Sequence, residues 1–249
     1  MINLIISILI GAIAWAVSCV FWFDSVWTGI LLFLPIFVVV FVILNRKVAL
    51  KVSAIMNRVQ TMTQNIPSLP TESARNNQIN KMIDILKEAY AYRNYQFFLK
   101  QQVNSQIGSL LYMTKKFDEA EKYLKDSFLQ PGTPRAMYAC ILYRRSEEQK
   151  MVQQFELAVK LDKKTPLLWN VYAWCLCQLK KRDEAIAVLN RCLTYCPSDQ
   201  ITKDNLDSLK NKAKMKMKPF ELQWYQFWLE EPPRKMVMVN PMSKRSMFR

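Results

Sequence analysis

Apolar residues follow two regimes along this chain: two unbroken blocks at the start, then stripes at helical spacing almost everywhere after them. The blocks Leu4–Phe23 and Thr28–Asn45 contain no Lys or Arg, and Asp24 between them is the first acid. Helices of about 18 to 20 residues, rising about 1.5 Å per residue, reach across roughly 30 Å of hydrocarbon. Residues 1–45 therefore predict a two-helix transmembrane hairpin. Its turn would be Asp24-Ser25-Val26-Trp27, with Phe21, Trp22, Phe23 and Trp27 as an interfacial aromatic anchor. Gly11 or Gly29 would allow close helix packing, and Pro35 would kink the second helix. A signal peptide fits less well, because Met1-Ile2-Asn3 supplies no basic n-region. Arg46, Lys47 and Lys51 follow the second block at once, whereas the turn and the N-terminus carry no cation. That asymmetry predicts membrane-surface contact by these three residues and a cytoplasmic position for both termini.

From Val48 the apolar positions thin to a seam. Val48, Val52, Ile55, Val59 and Met62 recur at four-three-four-three spacing, which predicts a juxtamembrane amphipathic helix over residues 46–64, continuous with the second span. A seam under three heptads is too short to hold a dimer alone. Packing against the chain's own next domain is preferred, and contact in a homo-oligomer stays open. Asn65-Ile66-Pro67-Ser68-Leu69-Pro70 interrupts the pattern, since each Pro lacks an amide donor and disfavours helix in the residue before it, so a linker is placed at 65–75. From Asn76 the stripe resumes with Ile79, Met82, Ile83, Leu86, Ala89 and Tyr90. Alternating runs bounded by hairpin turns are missing, so the fold class is all-α.

Within residues 76–218 the stripes repeat. Lys115-Lys116-Phe117-Asp118-Glu119-Ala120 returns 65 residues later as Lys180-Lys181-Arg182-Asp183-Glu184-Ala185, and a degraded copy lies between them. There Phe155, Ala158 and Leu161 stand 34 residues before Leu189, Cys192 and Tyr195. On these residues the region resembles the tetratricopeptide repeat (TPR) family, whose roughly 34-residue unit is an antiparallel helix pair. Pro166–Asp199 matches best: Trp169 takes the early aromatic position, Ala173 and Ala185 the small crossing positions, and Pro197 the terminating proline. In Gln101–Gly132 the corresponding residues are Gly108, Ala120 and Ser127, with Leu111 and Leu124 in the large apolar positions. Gly132–Thr165 keeps Ala139, Leu142, Phe155 and Ala158 but has Met151 and Arg135 where a small and an aromatic residue are expected, which predicts a wider crossing. The resemblance implies an α-solenoid of about three repeats with capping helices, at Asn76–Tyr92 in front and Ile201–Lys218 behind. Ser198 or Asp199 would N-cap the rear helix and Pro219 would stop it.

The resemblance also implies a concave protein-binding groove lined by the first helix of each pair. Mapped onto this chain, the lining is Ser105, Ser109 and Tyr112, then Ala136, Cys140, Tyr143 and Arg144, then Asn170, Trp174, Cys177 and Gln178. Only Asn170 and Arg144 suit a carboxylate clamp, so an apolar peptide, a helix or the chain's own tail is the expected occupant. That tail, residues 219–249, packs Phe220, Leu222, Trp224, Tyr225, Phe227, Trp228 and Leu229 into ten residues and ends in Arg234, Lys235, Lys244, Arg245 and Arg249. Such aromatic density must be buried, in the domain core, on a partner or at the bilayer interface, with the core preferred.

Composition narrows the chemistry. The chain has no His, which excludes Ser-His-Asp and Cys-His catalysis and histidine-ligated zinc, and its four glycines build no phosphate loop. Cys175 and Cys177 diverge around a helix, and Cys192 with Cys196 lacks further ligands, so no metal and no cofactor is expected and the thiols stay reduced. Asp118 with Glu119, and Asp183 with Glu184, read as helix-start charges, so no enzyme is expected. The net charge of +15 raises nucleic acid as a partner. However, Lys210, Lys212, Lys214, Lys216 and Lys218 would scatter over two faces of a helix, and an anionic inner leaflet accounts for the cations more simply. The sequence thus describes an integral membrane protein, preferably of a bacterial inner membrane. It would act as a TPR adaptor or scaffold for protein partners at the cytoplasmic face, or alternatively as an accessory subunit contacted through its hairpin.

Overall fold

A computed structural model of the chain describes residues 2–21, 26–66, 71–127, 131–231 and 233. The expected turn at Asp24 and Ser25, the linker residues Pro67 and Pro70 and the basic residues Arg234, Lys235, Lys244, Arg245 and Arg249 lie outside these. So do Trp22 and Phe23 and the side chains of Phe21, Trp27 and Cys19. Every regular element among the described residues is helical: eleven α-helices, with short 3-10 helices at Ala89–Tyr92 and Lys218–Phe220. The chain divides into two compact units, Met1–Val103 and Asn104–Arg249.

In the first unit, α1 (Ile2–Phe21) runs antiparallel along α2 (Val26–Asn65). The Asn3 side chain donates to Asn45 Oδ1 at 3.3 Å, and a Cβ added at Gly11 would come within 2.8 Å of the Phe33 ring. Phe33, Phe37 and Phe41 stack successively, with centroids 6.0 and 5.8 Å apart. The side of α1 that is buried consists of Asn3, Ser7 and Gly11, while Ile5, Leu9 and Ile13 are exposed. A helix in water has the opposite arrangement. Among the described residues one helix is long and apolar enough to cross a membrane, in the Phe33–Asn65 stretch of α2, with mean hydropathy 2.1; the apolar stretch Ile2–Val17 of α1 is shorter.

No break separates the apolar part of α2 from its amphipathic part: the helix continues for 40 residues with Pro35 inside it. Val52 and Val59 of the seam are buried, and α2 packs on α3 (Glu72–Glu88). The Lys51 ammonium stands 5.8 Å from the centre of the Tyr92 ring. Helix α3 begins four residues before the expected Asn76, because Thr71 caps it by accepting the Ala74 amide at 3.2 Å. Its stripe of Ile79, Met82, Ile83, Leu86 and Ala89 is buried within this unit. The front cap expected of the repeat domain therefore falls in the first unit, where the seam of α2 offers α3 an apolar partner.

The second unit continues through α4 (Leu99–Met113), inside which the division falls, to α5 (Phe117–Leu124), α6 (Gly132–Arg144), α7 (Glu148–Leu161), α8 (Pro166–Gln178), α9 (Arg182–Tyr195), α10 (Gln200–Lys210) and α11 (Leu222–Tyr225). α6 pairs with α7 and α8 with α9. Helices α6, α8 and α10 start 34 residues apart, as do α7 and α9. Small residues sit where the helices approach. A Cβ at Gly108 would lie 2.7 Å from the Leu124 side chain, and one at Gly132 would lie 2.6 Å from the Ala158 carbonyl oxygen. Ala120, Ala139, Ala158, Ala173 and Ala185 are fully buried, as is Met151 at its departure from the pattern. Arg135, the other departure, is buried and donates to Gln154 at 2.8 Å.

The turn inside each pair has the same backbone. Lys115, Ser146 and Lys180 hold φ of 60°, 60° and 64°. Each is followed by an amide that reaches back five residues: Lys116 to Leu111, Glu147 to Leu142 and Lys181 to Leu176, at 2.9 to 3.0 Å. This is the Schellman ending, made here without glycine. α10 ends the same way through Lys212 at φ 56°, with the Ala213 amide on the Ser208 carbonyl at 2.8 Å. The rear helix, expected to reach Lys218, therefore stops at Lys210. Asp199 rather than Ser198 caps its start, accepting the Thr202 amide at 2.8 Å. Successive pairs are tied by Arg145 to Asp118 and Glu121 at 2.7 and 2.6 Å, by Lys181 to Glu148, and by a two-toothed Arg191–Glu156 pair.

Candidate functional site

The lining positions read from the sequence fall on α4, α6 and α8 of the second unit, and the chain's own tail covers part of them. Residues after Lys210 turn back, and Trp224, Tyr225 and Phe227 become buried. The Tyr112 hydroxyl donates to the Phe227 carbonyl at 2.5 Å, and the Arg144 guanidinium donates to the Trp228 carbonyl. Trp174 packs edge-on against Trp224, centroids 5.3 Å apart, and against Tyr143 at 6.2 Å. The Lys115 ammonium lies 4.1 Å from the centre of the Trp228 ring. The tail is thus buried against residues read from the sequence as groove lining, Tyr112, Arg144 and Trp174 among them. Burial holds the Tyr112 phenol well above its ordinary pKa, with Cys140 adding to the shift and Arg144 opposing it, so this hydroxyl stays a hydrogen-bond donor.

The remaining lining residues separate into buried and accessible sets. Ser105, Ala136 and Cys140 are buried, and Ser109 turns its hydroxyl onto the Ser105 carbonyl at 2.9 Å. Asn170, one of the two residues that hinted at a carboxylate clamp, is fully buried. Its amide donates to Thr202 at 2.8 Å and to the Pro166 carbonyl at 2.9 Å, and its oxygen accepts from Asn205 at 2.9 Å. Asn205 in turn accepts the Lys216 amide at 2.7 Å, so this network fastens the rear helix and the start of the tail to α8. Arg144, the other residue, is turned onto the tail.

What stays open is a cleft of about 650 Å³ at the far end of the groove. Trp174, Cys177, Gln178, Leu209 and Met215 line it together with Lys180, Arg182, Lys214 and Glu230. Its sulfur-bearing side chains meet, with Cys177 Sγ 3.9 Å from Met215 Sδ. Glu230, its one acid, accepts the Trp224 indole at 3.0 Å, so the tail contributes to the wall as well as to the plug. A second concavity of about 610 Å³ between α7 and α9 is floored by Trp169 and Tyr195, which stack on each other at 5.9 Å under Arg191 and Lys163.

Sequence reasoning found Trp174, Cys177 and Gln178 of this cleft and missed the rest, including the cations Lys180, Arg182 and Lys214. For Lys214 the signal was the alternation of lysines after Asp207, assigned to a helix on which it scatters. In the non-helical chain after Lys212, Met217 is buried while Lys214 and Lys216 are exposed. Burial pushes the Cys192 thiol up to about 12 and raises Cys175, Cys177 and Cys196 as well. Among the described residues no three His, Cys, Asp or Glu side chains gather as a metal site. No family model, curated protein or solved structure matches this chain.

Proposed function

We propose that the chain is a membrane-anchored, TPR-like adaptor that holds an acidic, partly apolar segment of a partner protein at the cytoplasmic face of a membrane, in the first instance a bacterial inner membrane. α1 and the first half of α2 form the transmembrane hairpin, and the repeat unit carries the binding surface. The inverted burial of α1, with Asn3, Ser7 and Gly11 inward and Ile5, Leu9 and Ile13 outward, supports a lipid surrounding. Arg46 and Lys47, both exposed, support a cytoplasmic start to the amphipathic part of α2. The 34-residue spacing and the shared turn geometry support the TPR-like reading.

The observation that carries the function is the cleft itself. It joins an apolar floor of Trp174, Leu209 and Met215 to a rim of Lys180, Arg182 and Lys214, facing a single acid. Such a rim selects acidic segments by charge, and the floor retains those that also carry an apolar anchor. To test this, the full-length protein in detergent is titrated with a fluorescent amphipathic peptide rich in Asp and Glu. Binding should weaken at least tenfold in Lys180→Glu/Arg182→Glu and with rising salt. Binding indifferent to both would remove the reading.

A further inference from the structure

The first unit carries an aromatic patch beside the start of α1 that neither the spans nor the cleft uses. The 3-10 helix Ala89–Tyr92 leads into a turn whose Asn94 carbonyl accepts the Ile2 amide at 2.9 Å. That bond sets the turn at the first residue of the apolar helix α1, the same end at which Asn3 meets Asn45 and the exposed Arg46 and Lys47 begin. Three and four residues further on, Phe97 and Phe98 are 52% and 53% exposed, their ring centroids 6.4 Å apart. Other large apolar side chains of this unit behave otherwise: Ile79, Met82, Ile83, Ile85 and Leu86 of α3 and the adjacent Leu99 are all buried. Phe98 also holds φ of 61°, a conformation unusual for a bulky side chain. The surroundings are cationic, since Arg93 and Lys100 flank the pair and no Asp or Glu occurs between Glu88 and Asp118.

We propose that Phe97 and Phe98 insert into the headgroup–acyl boundary of the leaflet from which α1 starts, with Arg93, Lys100, Arg46 and Lys47 on its phosphates. Two adjacent rings in water are unfavourable, whereas the boundary accepts aromatic side chains and an anionic leaflet attracts the cations around them. The patch thus acts as a third anchor, fixing α3 and the start of α4 against the bilayer surface. It rests on the membrane reading of α2, and the test separates the two.

The experiment places p-benzoylphenylalanine singly at Phe97 or Phe98 in the full-length protein, reconstituted in vesicles of phosphatidylcholine and phosphatidylglycerol. Lipid adducts after irradiation are counted by mass spectrometry. Val39, exposed on the apolar part of α2, serves as the span reference, and Asn77, exposed on α3, as the aqueous one. The expected result is lipid adducts at both Phe positions at no less than a third of the Val39 yield, with Asn77 below a tenth of it. Adducts at Val39 with none at Phe97 or Phe98 above the Asn77 level overturn the patch and leave the membrane reading standing. Protein adducts at the Phe positions in place of lipid overturn it in favour of a subunit contact. Loss of lipid adducts at Val39 as well removes the membrane reading and the patch together.

Discussion

Both units contain antiparallel helix pairs, yet α1 of the first and α8 of the second bury opposite kinds of side chain. In α1 the covered side is Asn3, Ser7 and Gly11 and the open side is aliphatic; in α8, Leu168, Trp169, Tyr172, Ala173 and Leu176 are covered, and Lys180 and Arg182 stand open just beyond its end. The difference teaches what holds each pair together. In water the helices associate because apolar area leaves the solvent. In the lipid surrounding proposed for α1 that term vanishes, leaving close packing at Gly11 and polar contacts such as Asn3 with Asn45.

The strongest way to break this comparison is to truncate a large apolar side chain on each side. Trp224 is fully buried, so Trp224→Ala should lower stability by about 3 to 5 kcal/mol, read by denaturant unfolding of the full-length protein in detergent with near-UV circular dichroism. Leu9→Ala, on the outward side of α1, should lower it by less than about 1 kcal/mol. Similar losses from both would show that α1 is packed like a soluble helix.

Polar contacts sharpen the contrast at smaller magnitude. Asn170→Leu leaves Thr202 and Asn205 without their partner in a closed core and should cost about 1 to 3 kcal/mol, whereas Asn3→Leu should cost about 0.6 kcal/mol. The same unfolding assay checks both.

Alkaline pH probes the repeat core. Cys192 is pushed up to about 12 from 9.0, chiefly by burial, so it stays protonated in the fold while the unfolded chain ionises. Stability is therefore full below about pH 9 and falls as pH rises towards 12, by up to about 1.4 kcal/mol per pH unit for such a group. Cys192→Ala should make that decline shallower by one group's share in a pH series of unfolding midpoints. An unchanged slope would mean that the thiol is not sealed.

The smallest effect concerns the shared turn. Lys180 holds φ of 64° without being glycine, so Lys180→Gly should stabilise the protein by about 0.5 to 1 kcal/mol; a loss would mean that its side chain contributes more than its backbone strains.

The helical class, the seam of α2 and the 34-residue spacing were legible because each rests on periodicity, which burial imposes on sequence directly. What stayed hidden depended on local hydrogen bonds. Thr71 starts α3 early with one capping bond, and Lys212 ends α10 early in a turn that usually advertises itself with glycine. That second ending decides the site, because it converts Lys214 from a scattered helix charge into part of a cationic rim. Asn170 was correctly placed on α8, but only its partners Thr202 and Asn205, over thirty residues away, show that it serves the core. The tail's burial followed from its composition; its position against Tyr112, Arg144 and Trp174 did not, since aromatic density specifies no address.

The most direct measurement is photo-cross-linking in native membranes from p-benzoylphenylalanine at Gln178, exposed on the rim of the cleft, in the full-length protein. A membrane-bound adaptor of this kind should give a discrete protein adduct that disappears in Lys180→Glu/Arg182→Glu while the protein stays in the membrane fraction and folded. No adduct, or one unaffected by reversing those two charges, would contradict it.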